Sequence, residues 1–215
     1  MSKILISGYY GFANAGDEAM LTAIIESLRQ VEKNVELTVL SGNPEDTAAK
    51  HQVCSVYRFN PLGIIRAMKD SELIISGGGS LLQDVTSKRS LLYYLSIIGL
   101  GKFFGKKVML FAQGIGPIRA KWARKLISLV CNEADLITVR DSESAAELIE
   151  MGVKPEKITV TADSVLSLNP VTKECGQYLL QEAGVDLTKP VIGISVRPWS
   201  GDSQCFQVLA EAASK

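Results

Sequence analysis

The sequence predicts an α/β domain built on a parallel sheet with helices on both faces, and three observations lead there. Short apolar runs rich in Ile, Val and Leu alternate with longer segments of helical period. The runs are continuously apolar rather than alternating, as expected of strands covered on both faces. Almost every run is followed at once by glycine, an amide, a carboxylate or arginine, which is where open α/β sheets bind ligands.

In chain order, the strands are expected at residues 3–7, 35–40, 73–76, 107–112, 136–139, 158–161 and 191–196. Helical spacing of apolar residues falls between them at 18–31, 61–70, 88–104, 122–133 and 142–151. Asp17 and Pro61 suit helix starts, Gly105 and Gly152 suit helix ends, and Pro117 can open the helix after it. Beyond Asp163 the pattern changes. Residues 164–190 are polar and proline-flanked with one helix near 175–183, and a helix start follows at Gln204. The expected organisation is an N-terminal domain over 1–165, a linker over 166–190, and the start of a truncated second α/β domain over 191–215.

Composition excludes several function classes. The 215 residues carry 23 basic and 23 acidic side chains, so no bulk field draws the chain to nucleic acid or an anionic surface. Four cysteines lack C-x-x-C spacing, which argues against a zinc site, a redox pair or a disulfide framework, and no metal site is expected. The apolar run at 91–104 is interrupted by Lys102 and falls short of the roughly 20 residues a membrane span needs. No signal-peptide pattern follows Met1, so the expected location is cytoplasmic.

The chemistry-bearing residues sit at the expected carboxyl ends of strands. In GYYGFANAGDEAM, Gly8, Gly11 and Gly16 allow a tight strand-to-helix turn, while Asp17 and Glu18 at the helix start would oppose a docked phosphate and suit a hydroxyl-bearing ligand. Asp17 as a simple helix cap is an equal reading. In SGGGSLLQD, the glycines Gly77, Gly78 and Gly79 turn backbone amides toward a ligand, with Ser80, Gln83 and Asp84 adding polar groups; a sharp turn capped by Ser80 is the structural alternative. In AQGIGP, Gln113 ends an apolar strand beside Gly114, and its amide needs a partner if buried. Arg140 and Asp141 close one strand and Asp163 another; Arg140 is either a structural partner of Asp163 or Asp141, or a ligand contact. Arg197 ends VIGISVRPW and offers a fork suited to carboxylate or phosphate. His51 lies outside every cluster and reads as a surface histidine.

Taken together, GYYGFANAGDEAM, ISGGGSLLQDVTSKRSLLYYL, VMLFAQGIGP, ITVRDSESA, VTAD and GISVRPW resemble the polysaccharide pyruvyl transferases, specifically the CsaB type. The resemblance implies two Rossmann-like domains facing each other as in GT-B glycosyltransferases, this chain holding the N-terminal half. It implies phosphoenolpyruvate as donor with no further cofactor, and a sugar acceptor, N-acetylmannosamine in a lipid-linked cell-wall precursor, whose pyruvate ketal anchors surface-layer proteins. Work at the inner face of the cell membrane, with peripheral contact, would follow. Asp17, Glu18 and Asp84 are then candidates for orienting the acceptor and for general-base duty. Gly8, Gly11, Asn14, Gly16, Gly77, Gly78, Gly79, Ser80, Gln83, Gln113, Gly114, Arg140, Asp163 and Arg197 are candidates for substrate binding, the two arginines for the anionic donor.

Ala13 stands where the family's loop often has glycine, and Ser164 where proline is common. The family's catalytic histidine has no match here, and the 215 residues alone are expected to be inactive. A GT-B-like glycosyltransferase using a nucleotide sugar and a noncatalytic sugar-binding fragment are the rival readings.

Overall fold

The computed structural model describes residues 2–194 and 203–213, with the side chains of 203–205 excepted. It divides into two compact units, Met1–Leu168 and Asn169–Lys215.

The first unit alternates strand and helix without interruption: β1 (Lys3–Tyr10), α1 (Ala15–Val31), β2 (Glu36–Ser41), α2 (Pro44–His51), β3 (Cys54–Tyr57), α3 (Pro61–Asp70), β4 (Leu73–Gly77), α4 (Lys88–Phe103), β5 (Lys107–Gln113), α5 (Lys121–Glu133), β6 (Leu136–Val139), α6 (Ser142–Glu150) and β7 (Ile158–Val160). The seven strands form one parallel sheet in the order β3-β2-β1-β4-β5-β6-β7. Strand order reverses between β1 and β4. The carboxyl ends of those two strands therefore bound the crevice in which doubly wound sheets take ligands. The expected α/β Rossmann-like class is what the chain adopts.

Strand periodicity explains why both faces are apolar. In β1, Leu5 points to one side and Ile4 and Ile6 to the other, and all three are buried. Leu5 joins a cluster with Leu40, Ile74 and side chains of α3, α4 and α5, while Ile4 and Ile6 pack with Val39, Ile75 and the α1 residues Leu21, Ile24 and Ile25.

Three details differ from expectation. The segment 43–57 holds α2 and the edge strand β3, neither of which its sequence announces: β3 has no fully buried residue and α2 buries only Thr47. β1 runs on past Ser7 to Tyr10, with a register shift against β2 between Ser7 and Tyr10. Pro117 does not open a helix; it follows a cis peptide in the loop, and α5 begins at Lys121.

In the second unit, α7 (Lys173–Glu182) is capped by Thr172 and α8 spans Ser203–Ala213. Residues 191–194, where a strand was expected, form none, and residues 195 and 196 lie outside the described residues. Tyr178, Leu179, Ile192 and Val208 are exposed. No described helix is long and apolar enough to cross a membrane.

Candidate functional site

The turn from β1 into α1 is built around Tyr10. Its ring is buried, and its hydroxyl donates to the carbonyl of Gly77 at 2.6 Å, tying the end of β1 to the end of β4 across the strand-order reversal. Burial holds the Tyr10 pKa well above the ordinary phenol value, with Asp17 next in effect, so the hydroxyl stays a donor. Close approach explains the glycines here: a Cβ on Gly8 would lie 2.3 Å from the Tyr10 ring, and one on Gly11, where φ is +76°, 2.1 Å from Ser41 Oγ. Ala13 holds φ +55° without that excuse, at the position where glycine fits best.

Asn14, not Asp17, caps α1: its Oδ1 accepts from the amides of Gly16 and Asp17. Asp17 sits in the first turn and faces the glycine turn after β4, because a Cβ on Gly79 would lie 3.0 Å from Asp17 Oδ1. Glu18 turns the other way and accepts from the Gly11 amide at 2.8 Å. His51 Nε2 lies 3.6 Å from the second Glu18 oxygen, and its side chain is only 10% exposed. The expectation of a surface histidine is thus corrected, because α2 lays His51 against the base of the loop.

Beyond β4, Gly78 and Gly79 adopt positive φ of +91° and +61°. A Cβ on Gly78 would meet the Tyr10 hydroxyl at 2.8 Å. Gly77 packs under Ile24, and the Gly79 amide reaches Met20 Sδ at 3.0 Å.

The turns after β4 and β5 then join. Gln113 is fully buried; its Nε2 donates to the carbonyl and hydroxyl of Ser76, both at 2.9 Å, while its Oε1 has no partner. The Gly114 amide donates to the Gly79 carbonyl at 3.2 Å. Above Gly114, a Cβ would strike Ser80 Oγ at 2.6 Å and Arg140 Cζ at 2.8 Å. Arg140 Nη2 donates to Ser80 Oγ at 3.3 Å, Nη1 pairs with Asp163 at 3.2 Å, and Nε faces Asp141 at 3.5 Å. Ser80, Gly114, Arg140 and Asp163, from four separate connections, therefore meet in one place. The Arg140 side chain remains 35% exposed, so a guanidinium held by two carboxylates still presents an open face.

Gln83 and Asp84 stand apart from this cluster. Gln83 Oε1 accepts from the amides of Val85 and Thr86, and Asp84 accepts from the amides of Arg119 and Ala120, the latter at 2.7 Å. Asp84 supplies the cap that Ala120, at the start of α5, cannot. The Arg119 amide is the main cause of its lowered pKa, which makes it a weak base. Ser80 caps no helix, since Ser87 caps α4. Arg197 lies outside the described residues. Among the described residues, no three His, Cys, Asp or Glu side chains group as metal ligands would.

Arg58, outside the residue clusters that the sequence marks, is buried at the carboxyl end of β3, beside Tyr93 and Tyr94 of α4. It obeys the rule that polar residues follow strands, and was hidden because β3 itself was.

The arrangement offers a carboxylate, Asp17, beside a glycine turn at the strand-order reversal, and, farther along the same sheet edge after β6, a cation, Arg140, bonded to the Ser80 hydroxyl. The first can accept a proton or hydrogen bond from a hydroxyl; the second can hold an anion.

The model of the polysaccharide pyruvyl transferase family matches residues 14–198. Among curated proteins none matches the sequence. Solved structures share the fold at low identity. The Anabaena protein Alr3699/HepE in complex with UDP and glucose is 14% identical with a TM-score of 0.60, over 98% of this chain and 58% of that one. A glycosyltransferase from Rickettsia africae ESF-5 is 13% identical with a TM-score of 0.59, over 100% and 57%. A UDP-GlcNAc 2-epimerase from Neisseria meningitidis is 12% identical with a TM-score of 0.51, over 84% and 50%. The chain thus spans under three fifths of the length of these proteins. The likeness places the fold with GT-B glycosyltransferases and epimerases and says nothing of substrate.

Proposed function

This chain belongs to the polysaccharide pyruvyl transferase family, and from that premise we propose that it contributes to an enzyme moving the pyruvyl group of phosphoenolpyruvate to a sugar. The acceptor we propose is N-acetylmannosamine of a lipid-linked cell-wall precursor, as in CsaB-type members, handled at the inner face of the membrane; the ketal would serve to anchor surface-layer proteins. The reaction needs protonation of the enol carbon, attack by one sugar hydroxyl on the cationic carbon so formed, loss of phosphate, and closure by a second hydroxyl. No further cofactor is required by this chemistry.

The observation that supports this reading most is the convergence of Arg140, Ser80 and Gly114, Ser80 following directly on the Gly79 turn that Asp17 faces. A donor bearing a carboxylate and a phosphate needs a fixed cation, and a guanidinium already oriented by Asp163 and Asp141 loses little freedom on binding it. Asp17, at the strand-order reversal, is the carboxylate we assign to orienting the acceptor hydroxyl. Glu18 and Asp84 take supporting places, because their oxygens hold the Gly11 amide and the start of α5. Arg197 is assigned to the donor with Arg140 on its residue type alone, a fork suited to carboxylate or phosphate.

The test is phosphate release by the complete enzyme supplied with phosphoenolpyruvate, with and without acceptor glycan. The reading expects release only with acceptor. Equal release without it, or turnover only with a nucleotide sugar, would overturn it. In the same enzyme Arg197→Ala should impair use of phosphoenolpyruvate more than of acceptor, with Lys rescuing in part; unchanged donor kinetics would make Arg197 structural.

A further inference from the structure

Arg58 is 4% exposed, and its guanidinium is ringed by five aromatic side chains: Tyr93 at 4.4 Å, Phe59 at 5.2 Å, Phe12 at 5.3 Å, Tyr94 at 5.5 Å and Tyr9 at 5.9 Å from the ring centroids. Nη2 makes one long contact to the Tyr94 hydroxyl at 3.4 Å, but Nε and Nη1 have no hydrogen-bond partner. No carboxylate pairs with Arg58 among the described residues. Cation–π contacts return about 0.5–2 kcal/mol each and so offset part of the cost of burial, but they give the Nε and Nη1 hydrogens no acceptor. Burying an ion unpaired costs several kcal/mol. A guanidinium that only filled space would be a poor choice against methionine or leucine.

The polar groups beside it are neutral hydroxyls, which can accept a hydrogen bond but cannot balance the charge. The Tyr93 hydroxyl and Ser7 Oγ are buried beside it, and burial pushes the Tyr93 pKa up to about 12 against the opposing pull of the Arg58 charge. Tyr93 therefore keeps its proton at neutral pH. A buried guanidinium with two N–H groups unanswered and no carboxylate beside it among the described residues is the composition of an anion site.

Arg58 and Tyr93 also line one end of a surface groove of about 320 Å³ whose remaining walls, Pro61, Ile64, Ile97 and Leu100 among them, are almost wholly apolar. This volume sits at the lower end of the range for small-ligand pockets. Around it Leu62, Leu92 and Phe103 are exposed on α3 and α4. The Phe59 ring, 5.2 Å from the guanidinium and also in the groove wall, is 62% exposed.

We propose that this groove binds an anionic amphiphile, its phosphate reaching Arg58 and its hydrocarbon chain lying against α3 and α4. Charge complementarity selects that occupant: an apolar ligand would leave the buried cation unanswered, and a bare phosphate would leave the apolar walls unused. The site does not depend on the transfer reading, since binding is measured without turnover.

Dodecyl phosphate, below its micellar concentration, is titrated calorimetrically into the 215-residue chain, with inorganic phosphate and dodecyl maltoside as comparators. Dodecyl phosphate should bind at least about tenfold more tightly than either, the loss of one charge-assisted contact being worth that much. Arg58→Met should remove this preference, with thermal unfolding confirming that the variant folds. Leu100→Glu, at a partly exposed groove position, should weaken binding whether or not the Arg58 variant is stable. Equal binding of the maltoside, inorganic phosphate matching dodecyl phosphate, or unchanged affinity in a folded Arg58→Met would each overturn the proposal. Self-association lost in Leu100→Glu, without dodecyl phosphate binding, would give the groove to a second copy of the chain and overturn it as well.

Discussion

Tyr10→Phe isolates the bond that holds the candidate site together. The side chain is fully buried, and its hydroxyl makes one 2.6 Å hydrogen bond to the Gly77 carbonyl. Phenylalanine fills the same space, so no cavity term enters. The cost is a buried carbonyl left without its partner, about 1–3 kcal/mol. For a chain of this size that corresponds to a fall in melting temperature of about 2–12 °C. The pH dependence carries a second signature. The folded-state pKa of Tyr10 is raised by burial, so its contribution is complete below the unfolded value near 10 and is lost as pH rises toward the folded value. Wild type should then lose about 1.4 kcal/mol per pH unit through this group above about pH 10, and Tyr10→Phe should not. The gap between the two should therefore narrow in alkali. Thermal unfolding followed by circular dichroism at neutral and alkaline pH measures both effects. A neutral-pH shift below about 1 °C, or a gap that widens in alkali, would refute the role given to this bond.

Two further substitutions follow from the geometry. Asp84→Asn should cost about 1 kcal/mol at neutral pH by weakening the acceptor of the Arg119 and Ala120 amides. Because the Asp84 pKa is lowered on folding, that difference should vanish as acid protonates it below about pH 4, in urea titrations at each pH. Gly114→Ala should displace the Arg140 guanidinium while leaving the melting temperature nearly unchanged, since the atoms struck are side-chain termini. In the complete enzyme it should lower kcat/KM for phosphoenolpyruvate by about 100-fold, as misplacement by about an ångström can.

The sheet was readable because its strands are buried on both faces and so stand out as apolar runs; Leu5 and Ile6 face opposite helix layers and both must be apolar. β3 escaped for the converse reason. Its edge position leaves Cys54 and Tyr57 exposed, and four mixed residues carry no period. With β3 went α2, His51 and Arg58, whose burial depends on tertiary packing that no local pattern records. Within the site, the glycines were legible as turns, but their partners were not. Which of Asn14 and Asp17 caps α1 is decided by Asn14 Oδ1 reaching two amides, and Asp84 and Arg119 are separated by 35 residues that fold back before they meet. The pairing of Ser80 with Arg140 across 60 residues is of the same kind, since both positions were marked as polar strand ends without any sign that they touch.

The central claim, that this sheet edge binds the donor of a pyruvyl transfer, is tested most directly by steady-state kinetics of the complete enzyme with Arg140→Ala, varying phosphoenolpyruvate and acceptor in turn. The account predicts a fall in kcat/KM for phosphoenolpyruvate of at least about 100-fold, the loss of a charge-assisted fork, with the acceptor KM little changed. Wild-type kinetics for phosphoenolpyruvate in a folded Arg140→Ala enzyme would contradict it.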